Sequence, residues 1–196
     1  MIYLASRSPR RRELLDQLGV AHEVLLPPPS DGPDEPQLPG EPAADYVRRT
    51  AREKALQGVA EMTRRGLPAH PLLAADTTVI LDGGVLGKPL DRADAIRILA
   101  LLSGSRHEVH TAVALCHQGV LHEDVSITTV RFRPMARDEI ERYCDSGEPY
   151  DKAGAYGIQG LGGIFVERIE GSYTGVMGLP LFETARLLSQ AGIRLP

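Results

Sequence analysis

LLAADTTVIL, residues Leu72–Leu81, has the apolar density and β-branched content of a strand in the middle of a sheet, and it carries one charge, Asp76. A carboxylate inside such a run is costly unless it is paired, bound to a cation or placed at the mouth of a site. The run therefore sets two expectations together, a central strand and a functional aspartate on it. Asp82-Gly83-Gly84 follows as a hairpin signal, and Gly87-Lys88-Pro89 returns a lysine beside the strand that holds Asp76. This Gly-Lys pair is not a P-loop, because Pro89 stands where serine or threonine would hold magnesium and the upstream glycine spacing is wrong.

Working toward the N-terminus, Val47, Ala51, Ala55, Val59 and Met62 mark an amphipathic helix from Ala43 to about Arg65. Lys54 lies at the edge of its apolar stripe, from which it can reach a cleft or water. The preceding stretch, PPPSDGPDEPQLPGEP, has seven prolines in sixteen residues and is read as a surface loop whose chemical residues are Asp31, Asp34 and Glu35. His22 to Leu26 and Ile2 to Ala5 read as strands. Between them a helix runs from Pro9 to about Leu18, with Ser8 as its N-cap and Gly19 beyond its end. Arg7, Arg10, Arg11 and Arg12 crowd its first turn, although a helix N-terminus already carries about half a positive charge. That placement suggests a bound anion, with the strand, turn and helix start forming a phosphate cradle; a solvated basic face is the bland alternative.

Toward the C-terminus, Asp91 caps a helix through about Leu102. RHEVHTAVALCH (residues 106–117) and DVSITTVRF (residues 124–132) then form an antiparallel pair joined through His117-Gln118-Gly119. His107 and His110, three apart on a strand, face opposite sides and are assigned structural roles instead of a shared metal. A helix in ARDEIERYCDSG and a last one from Pro180 to about Ala191 complete the pattern. The expected fold class is α/β, a mixed, twisted sheet with helices on its faces and a central cleft. Residues 1–196 are expected to form a single domain, or two lobes around that cleft.

Between those last two helices, Gly147 to Gly178 holds nine of the chain's twenty glycines. Glycine loses the most backbone freedom on folding, so this density points to turns with φ > 0 or to a main chain that approaches something closely. The segment also carries Asp151, Lys152, Tyr156, Gln159, Phe165 and Tyr173, which distinguishes it from a flexible linker. It reads as one wall of a small-molecule site; the alternative is an ordinary loop with a buried strand at GIFVERI.

A net charge of −4 and only three aromatic residues besides tyrosine argue against a nucleic-acid polymer as partner. No apolar run approaches the ~20 residues of a membrane helix and the N-terminus lacks the order of a secretory signal, so a cytoplasmic location without membrane attachment is expected. Cys116 and Cys144 form no metal spacing and are expected to stay reduced. Nineteen arginines stand against three lysines, Lys54, Lys88 and Lys152, which makes those three candidates for needing a compact ammonium instead of a planar fork.

Five segments now point to one site: LASRSPRR, AREKA, AADTTVILDGGVLGKP, LSGSRHEVHTAV and GEPYDKAGAYGIQGLGG. In this order, from residue 2 to about 182, they closely resemble the Maf family of nucleoside triphosphate pyrophosphatases. The resemblance implies a fold related to the inosine triphosphate pyrophosphatases, hydrolysis of a nucleoside triphosphate to monophosphate and pyrophosphate, and a divalent cation, magnesium or manganese. It places Ser6, Arg10 and Arg11 in the phosphate-binding block, Lys54 in the helix block, Asp76 at the active-site aspartate, and Lys88 and Lys152 at its lysines. Asp76 then binds the metal or acts as base toward the attacking water. Family members usually follow the second strand with an acidic segment ending in Asp-Glu, whose glutamate helps hold the metal; here the proline-rich loop offers Asp34-Glu35, which makes Glu35 the second metal candidate.

Within the family, Arg11, Thr77 and Gln159 look like the group acting on dTTP and UTP, as opposed to the group acting on 7-methylguanosine triphosphate. A glutamine amide can pair with the N3–H and a carbonyl of uracil or thymine; Gln159 could instead satisfy a turn in its glycine-rich surroundings. The expected partners are the nucleoside triphosphate and, for assembly, a second copy in a homodimer. A nucleotide-sensing module without turnover is the rival reading, and the retention of Asp76 and all three lysines counts against it.

Overall fold

The structure, a computed structural model, describes residues 1–28 and 36–195. Its frame is a seven-stranded sheet in which β1 (Ile2–Leu4), β2 (His22–Val24), β3 (Leu72–Leu81), β5 (Arg106–His117), β6 (Val120–Phe132) and β7 (Val166–Glu170) run in the order β2-β1-β3-β5-β6-β7, with β4 (Gly84–Leu86) beside β3. β1 lies parallel to β2 and β3, and every other pairing is antiparallel, so the sheet is mixed. The helices are α1 (Pro9–Gln17), α2 (Ala43–Arg64), α3 (Arg92–Leu102), α4 (Arg137–Asp145), α5 (Tyr173–Met177) and α6 (Leu181–Gln190).

β3 is central, and its alternation divides the core. Leu72 and Ala74 face α2, packing with Tyr3, Val47, Ala51, Ala55, Ala112 and Ala114. Leu73 and Ala75 face the other side, where α1 and α6 bring Leu14, Leu15, Leu187 and Leu188. Farther along, Val79 joins a third cluster with Leu99, Val130, Phe132, Tyr156 and Phe165 under α3 and α4. The alanines of the α2 face allow close approach: a Cβ added to Gly58 would stand 2.7 Å from Leu72 Cδ1. Lys54, one turn before Gly58, is thereby carried down onto β3.

Both hairpins turn on two residues with positive φ, Asp82 (49°) with Gly83 (78°) and Gln118 (49°) with Gly119 (77°), the geometry whose twist matches the strands. A two-residue turn leaves no loop, so β6 pairs from Val120 onward instead of beginning near Asp124 as the alternation suggested. Asp91 caps α3 as expected, accepting from the Asp94 N–H. Ser8 occupies the N-cap position of α1, but its hydroxyl makes no capping bond; the Ser8 N–H instead donates to Ser6 Oγ (3.2 Å).

The glycine-rich segment is not uniform. Residues 148–165 wind through short 3₁₀ turns at the cleft, Val166–Glu170 adds edge strand β7, and α5 returns the chain to the cleft. β7 is half-buried and carries Glu167, Arg168 and Glu170 outward, a charged edge of the kind that discourages further strand addition. Both cysteines are free. His107 lies in the core with Nε2 bonded to Tyr156 Oη (2.9 Å), whereas His110 bonds Glu108 (2.7 Å), in keeping with structural roles.

Candidate active site

The cleft opens where β3 loses its neighbour. On the edge shared with β1, pairing ends at the bond from the Ala5 N–H to the Leu73 carbonyl (2.8 Å), and β4 takes up that edge only from Val79. Residues 74–78 therefore have no strand partner on this side among the described residues. Asp76 and Thr77 sit in the middle of this notch, and because consecutive strand side chains point to opposite faces they reach it from opposite sides.

A cavity of about 1060 Å³ fills the notch, lined by Ser6, Arg10, Arg11, Lys54, Asp76, Thr77, Lys88, Lys152 and Gln159 among others. All the candidate site residues that fall within the described part of the chain are thus brought together. Glu35 is the exception and lies outside the described residues. The walls carry six basic side chains, Arg7, Arg10, Arg11, Lys54, Lys88 and Lys152, against three acidic ones, Glu53, Asp76 and Asp151. A chain of net charge −4 thus concentrates positive charge here, including every lysine it has, which suits a polyanionic ligand.

Each group is held differently. Asp76 is 9% exposed and accepts from Lys54 Nζ at 2.6 Å. Arg11 is tied into the wall: Nε donates to the Gly178 carbonyl (2.7 Å), Nη1 to Ser6 Oγ (3.1 Å) and Nη2 to Thr77 Oγ1 (3.1 Å). Thr77 Oγ1 lies 2.9 Å from Thr111 Oγ1, which donates to the Gly175 carbonyl (2.8 Å). A hydroxyl has one proton, so Thr111 accepts from Thr77. Arg11, Thr77, Thr111 and Gly175 form one ladder from α1 through β3 and β5 to α5.

Across the cleft mouth, Arg10 Nη1 donates to Asp151 Oδ2 (2.9 Å), and Lys152 Nζ donates to Asp151 Oδ1 (2.5 Å) and to the Glu148 carbonyl (2.6 Å). Burial works to raise the Asp151 carboxyl, but the hydrogen bonds from Lys152 and Arg10 outweigh it and hold it below the ordinary aspartate value. Lys88 and Gln159 are exposed at the rim, and neither side chain has a bonding partner among the described residues. The Gly154 N–H donates to the Gly87 carbonyl (3.1 Å), joining the segments that carry Lys152 and Lys88.

Two residues have roles that the sequence does not show, although Asp151 is named there among the side chains of the glycine-rich wall. Thr111 looks like any β-branched strand position, and only its register opposite Thr77 reveals the ladder. Asp151 stands next to Lys152, and its bond to α1 crosses 141 residues. Among the described residues no three His, Cys, Asp or Glu side chains converge as a metal cage.

Comparison with known proteins bears on the same residues. The family of Maf-like proteins matches residues 1–191. A Bordetella parapertussis protein named dTTP/UTP pyrophosphatase is 70% identical over 195 residues, covering 100% of this chain and 94% of the relative. One of the same name from Cupriavidus pinatubonensis is 55% identical, covering 98% of each. The Staphylococcus aureus Ham1 protein superposes at a TM-score of 0.43 with 12% identity, over 67% of this chain and 71% of that one, a likeness too slight to bear on the site. With its lysines, its notched central strand and its glycine-rich wall all inside a match that runs from residue 1 to residue 191, the chain belongs to the Maf family.

Proposed function

We propose that this protein hydrolyses nucleoside triphosphates, dTTP and UTP foremost, to the nucleoside monophosphate and pyrophosphate. The observation that carries the reading is one buried carboxylate, Asp76, set in a notch of the central strand whose walls hold all three lysines and three arginines. The names of the 70% and 55% identical relatives support the same substrates.

Hydrolysis of a phosphoanhydride needs its negative charge neutralised and its nucleophile oriented. Water attacks the α-phosphorus, the bond from that phosphorus to the bridging oxygen breaks, and pyrophosphate leaves. Among the described residues Lys88 has no partner at the rim, and Lys152 and Arg10 pair only with Asp151 and a backbone carbonyl, so all three can turn to phosphate oxygens as charge-assisted donors. Lys54 holds Asp76 in place and exchanges it for phosphate when the triphosphate enters. Asp76 then orients the attacking water or holds a cation against the phosphates.

Magnesium or manganese fits this site in one mode. Small divalent ions keep several waters and take one or two carboxylates plus substrate phosphates, and Asp76 supplies one such carboxylate, with Glu35 as the second candidate outside the described residues. The ion would supply further charge neutralisation on the phosphates. Hydrolysis of dTTP in ¹⁸O-labelled water tests the reading: label in the monophosphate is expected, and label confined to the pyrophosphate, or release of orthophosphate alone, would overturn it.

A further inference from the structure

Six of the glycines in the 147–178 segment are so tightly seated that a side chain would collide, and three of these, Gly157, Gly160 and Gly162, stand around one group. An added Cβ at Gly157 would lie 2.8 Å from Lys152 Cε, at Gly160 2.3 Å from Glu148 Oε2, and at Gly162 2.8 Å from Tyr143 Oη. The object they close around is the Glu148 carboxylate. Its Oε1 accepts from Tyr143 Oη (2.8 Å) and the Gly162 N–H (3.0 Å), and its Oε2 accepts from the Leu161 N–H (2.8 Å). Tyr143 Oη in turn accepts from the Gly157 N–H (3.2 Å). The main chain is therefore gripped on both sides of Gln159, at Gly157 and at Leu161–Gly162, and the carbonyl of Glu148 itself receives Lys152 Nζ (2.6 Å).

We infer that Glu148, with Tyr143, is a positioning residue for the reaction: it sets the loop that presents Gln159 to the base and Lys152 to the phosphates. Glu148 acts through backbone N–H groups. Burial works to raise its carboxyl, yet the Gly162 N–H, Tyr143 hydroxyl and Leu161 N–H together with the Lys152 charge hold it below the ordinary glutamate value, so it is ionised at neutral pH and accepts all three bonds. Arg92 is paired with Asp145, and the nearby Cys144 is a neutral buried thiol pushed upward by burial, so neither supplies the carboxylate with a competing partner.

Glu148→Gln preserves shape and discriminates. An amide has one acceptor oxygen and one donor nitrogen, so whichever way it is placed it sets its N–H₂ against the backbone N–H of Leu161 or of Gly162. Backbone amide exchange, measured without nucleotide, is expected to quicken several-fold at Gly157, Leu161 and Gly162, with β3 and β5 unchanged. The inference rests on the function proposed above for its kinetic half: kcat/KM for dTTP should fall about 10- to 100-fold, the scale of a misplaced binding group, and the preference for dTTP over CTP should shrink. Tyr143→Phe, which removes the acceptor for the Gly157 N–H and one of the three donors to Glu148 but leaves the Leu161 and Gly162 bonds to the carboxylate, should show the same signs more weakly. Unchanged exchange in Glu148→Gln would overturn the clamp. Faster exchange with an unaltered dTTP to CTP ratio and unaltered KM would overturn the positioning role. A wild-type protein that turns over no triphosphate would instead sink the functional reading, while the exchange data would still decide for or against the clamp.

Discussion

The Lys54–Asp76 pair, closed at 2.6 Å in a largely buried notch, is the most exposed point of the account to a single substitution. Asp76→Asn keeps the shape and one hydrogen bond from Lys54 but loses the charge that water or a cation requires. Turnover should fall about 10²- to 10⁴-fold, the usual contribution of a general base, with a circular dichroism spectrum like that of the wild type. A variant retaining more than about a tenth of the rate would remove Asp76 from both roles. Lys88 tests the lysine argument. It has no partner among the described residues, so its retention in an arginine-rich chain is not explained by packing. Lys88→Arg should raise KM and lower kcat/KM for dTTP, because a planar fork cannot replace a compact ammonium against several oxygens; wild-type kinetics would mean that either cation serves. Arg11 and Thr77 carry a different expectation. Both are consumed by the ladder to Thr111, so Thr111→Val should disturb their positions although Thr111 itself contributes no cleft wall.

At the scale of elements, what was legible in the sequence was whatever one residue type announces locally. The run at 72–81, the cap at Asp91, the Asp82-Gly83 turn and the α2 stripe all appear as read. Misreadings came where a nonlocal partner decides. Ser8 looks like a cap, but Ser6 takes its N–H; β7 overlaps the GIFVERI stretch that stood as the alternative reading, and it is a half-buried edge strand because β6 pairs with it, through Val166, Arg168, Ile169 and Glu170. Glycine density pointed to the wall of the site, yet why each glycine is there depends on what it touches. Gly154 shows this: its φ is +70° and an added Cβ would stand 2.8 Å from Val79 Cγ2. Gly154→Ala should therefore destabilise the protein by about 1–3 kcal/mol, the range for overpacking, and weaken the bond to Gly87 that joins the two lysine segments. Urea unfolding checks this, and an unchanged midpoint would show that the segment yields without loss.

For the molecule as a whole, acid stability and the distribution of charge are the relevant observables. His107, buried between Phe132 and Tyr156, has its pKa lowered from 6.5 to about 4 by burial. Because the folded value is the lower one, protonation favours the unfolded chain. Stability is fully present above about pH 6.5 and is lost as the pH falls toward about 4, by up to about 3 kcal/mol. Glu41 and Glu139, held near 2 by Arg49 and Arg133, lose their contribution only at lower pH, below the ordinary glutamate value. The urea midpoint should consequently drop between pH 7 and 5, and His107→Gln should flatten that drop; a slope unchanged in the variant would assign it to other groups. The cleft, meanwhile, reverses the sign of the whole chain, and the central claim is that this positive pocket reads a uracil-like base on a triphosphate. A glutamine committed to an imide N3–H and carbonyl leaves cytosine partly unpaired, and sites that read hydrogen bonds reject such mismatches far more strongly than apolar pockets reject a methyl group. The direct test is kcat/KM for dTTP, UTP, CTP and 7-methylguanosine triphosphate under one set of conditions. Values for dTTP and UTP should come close together and well above the other two; equal values, or 7-methylguanosine triphosphate in front, would contradict base reading of this kind.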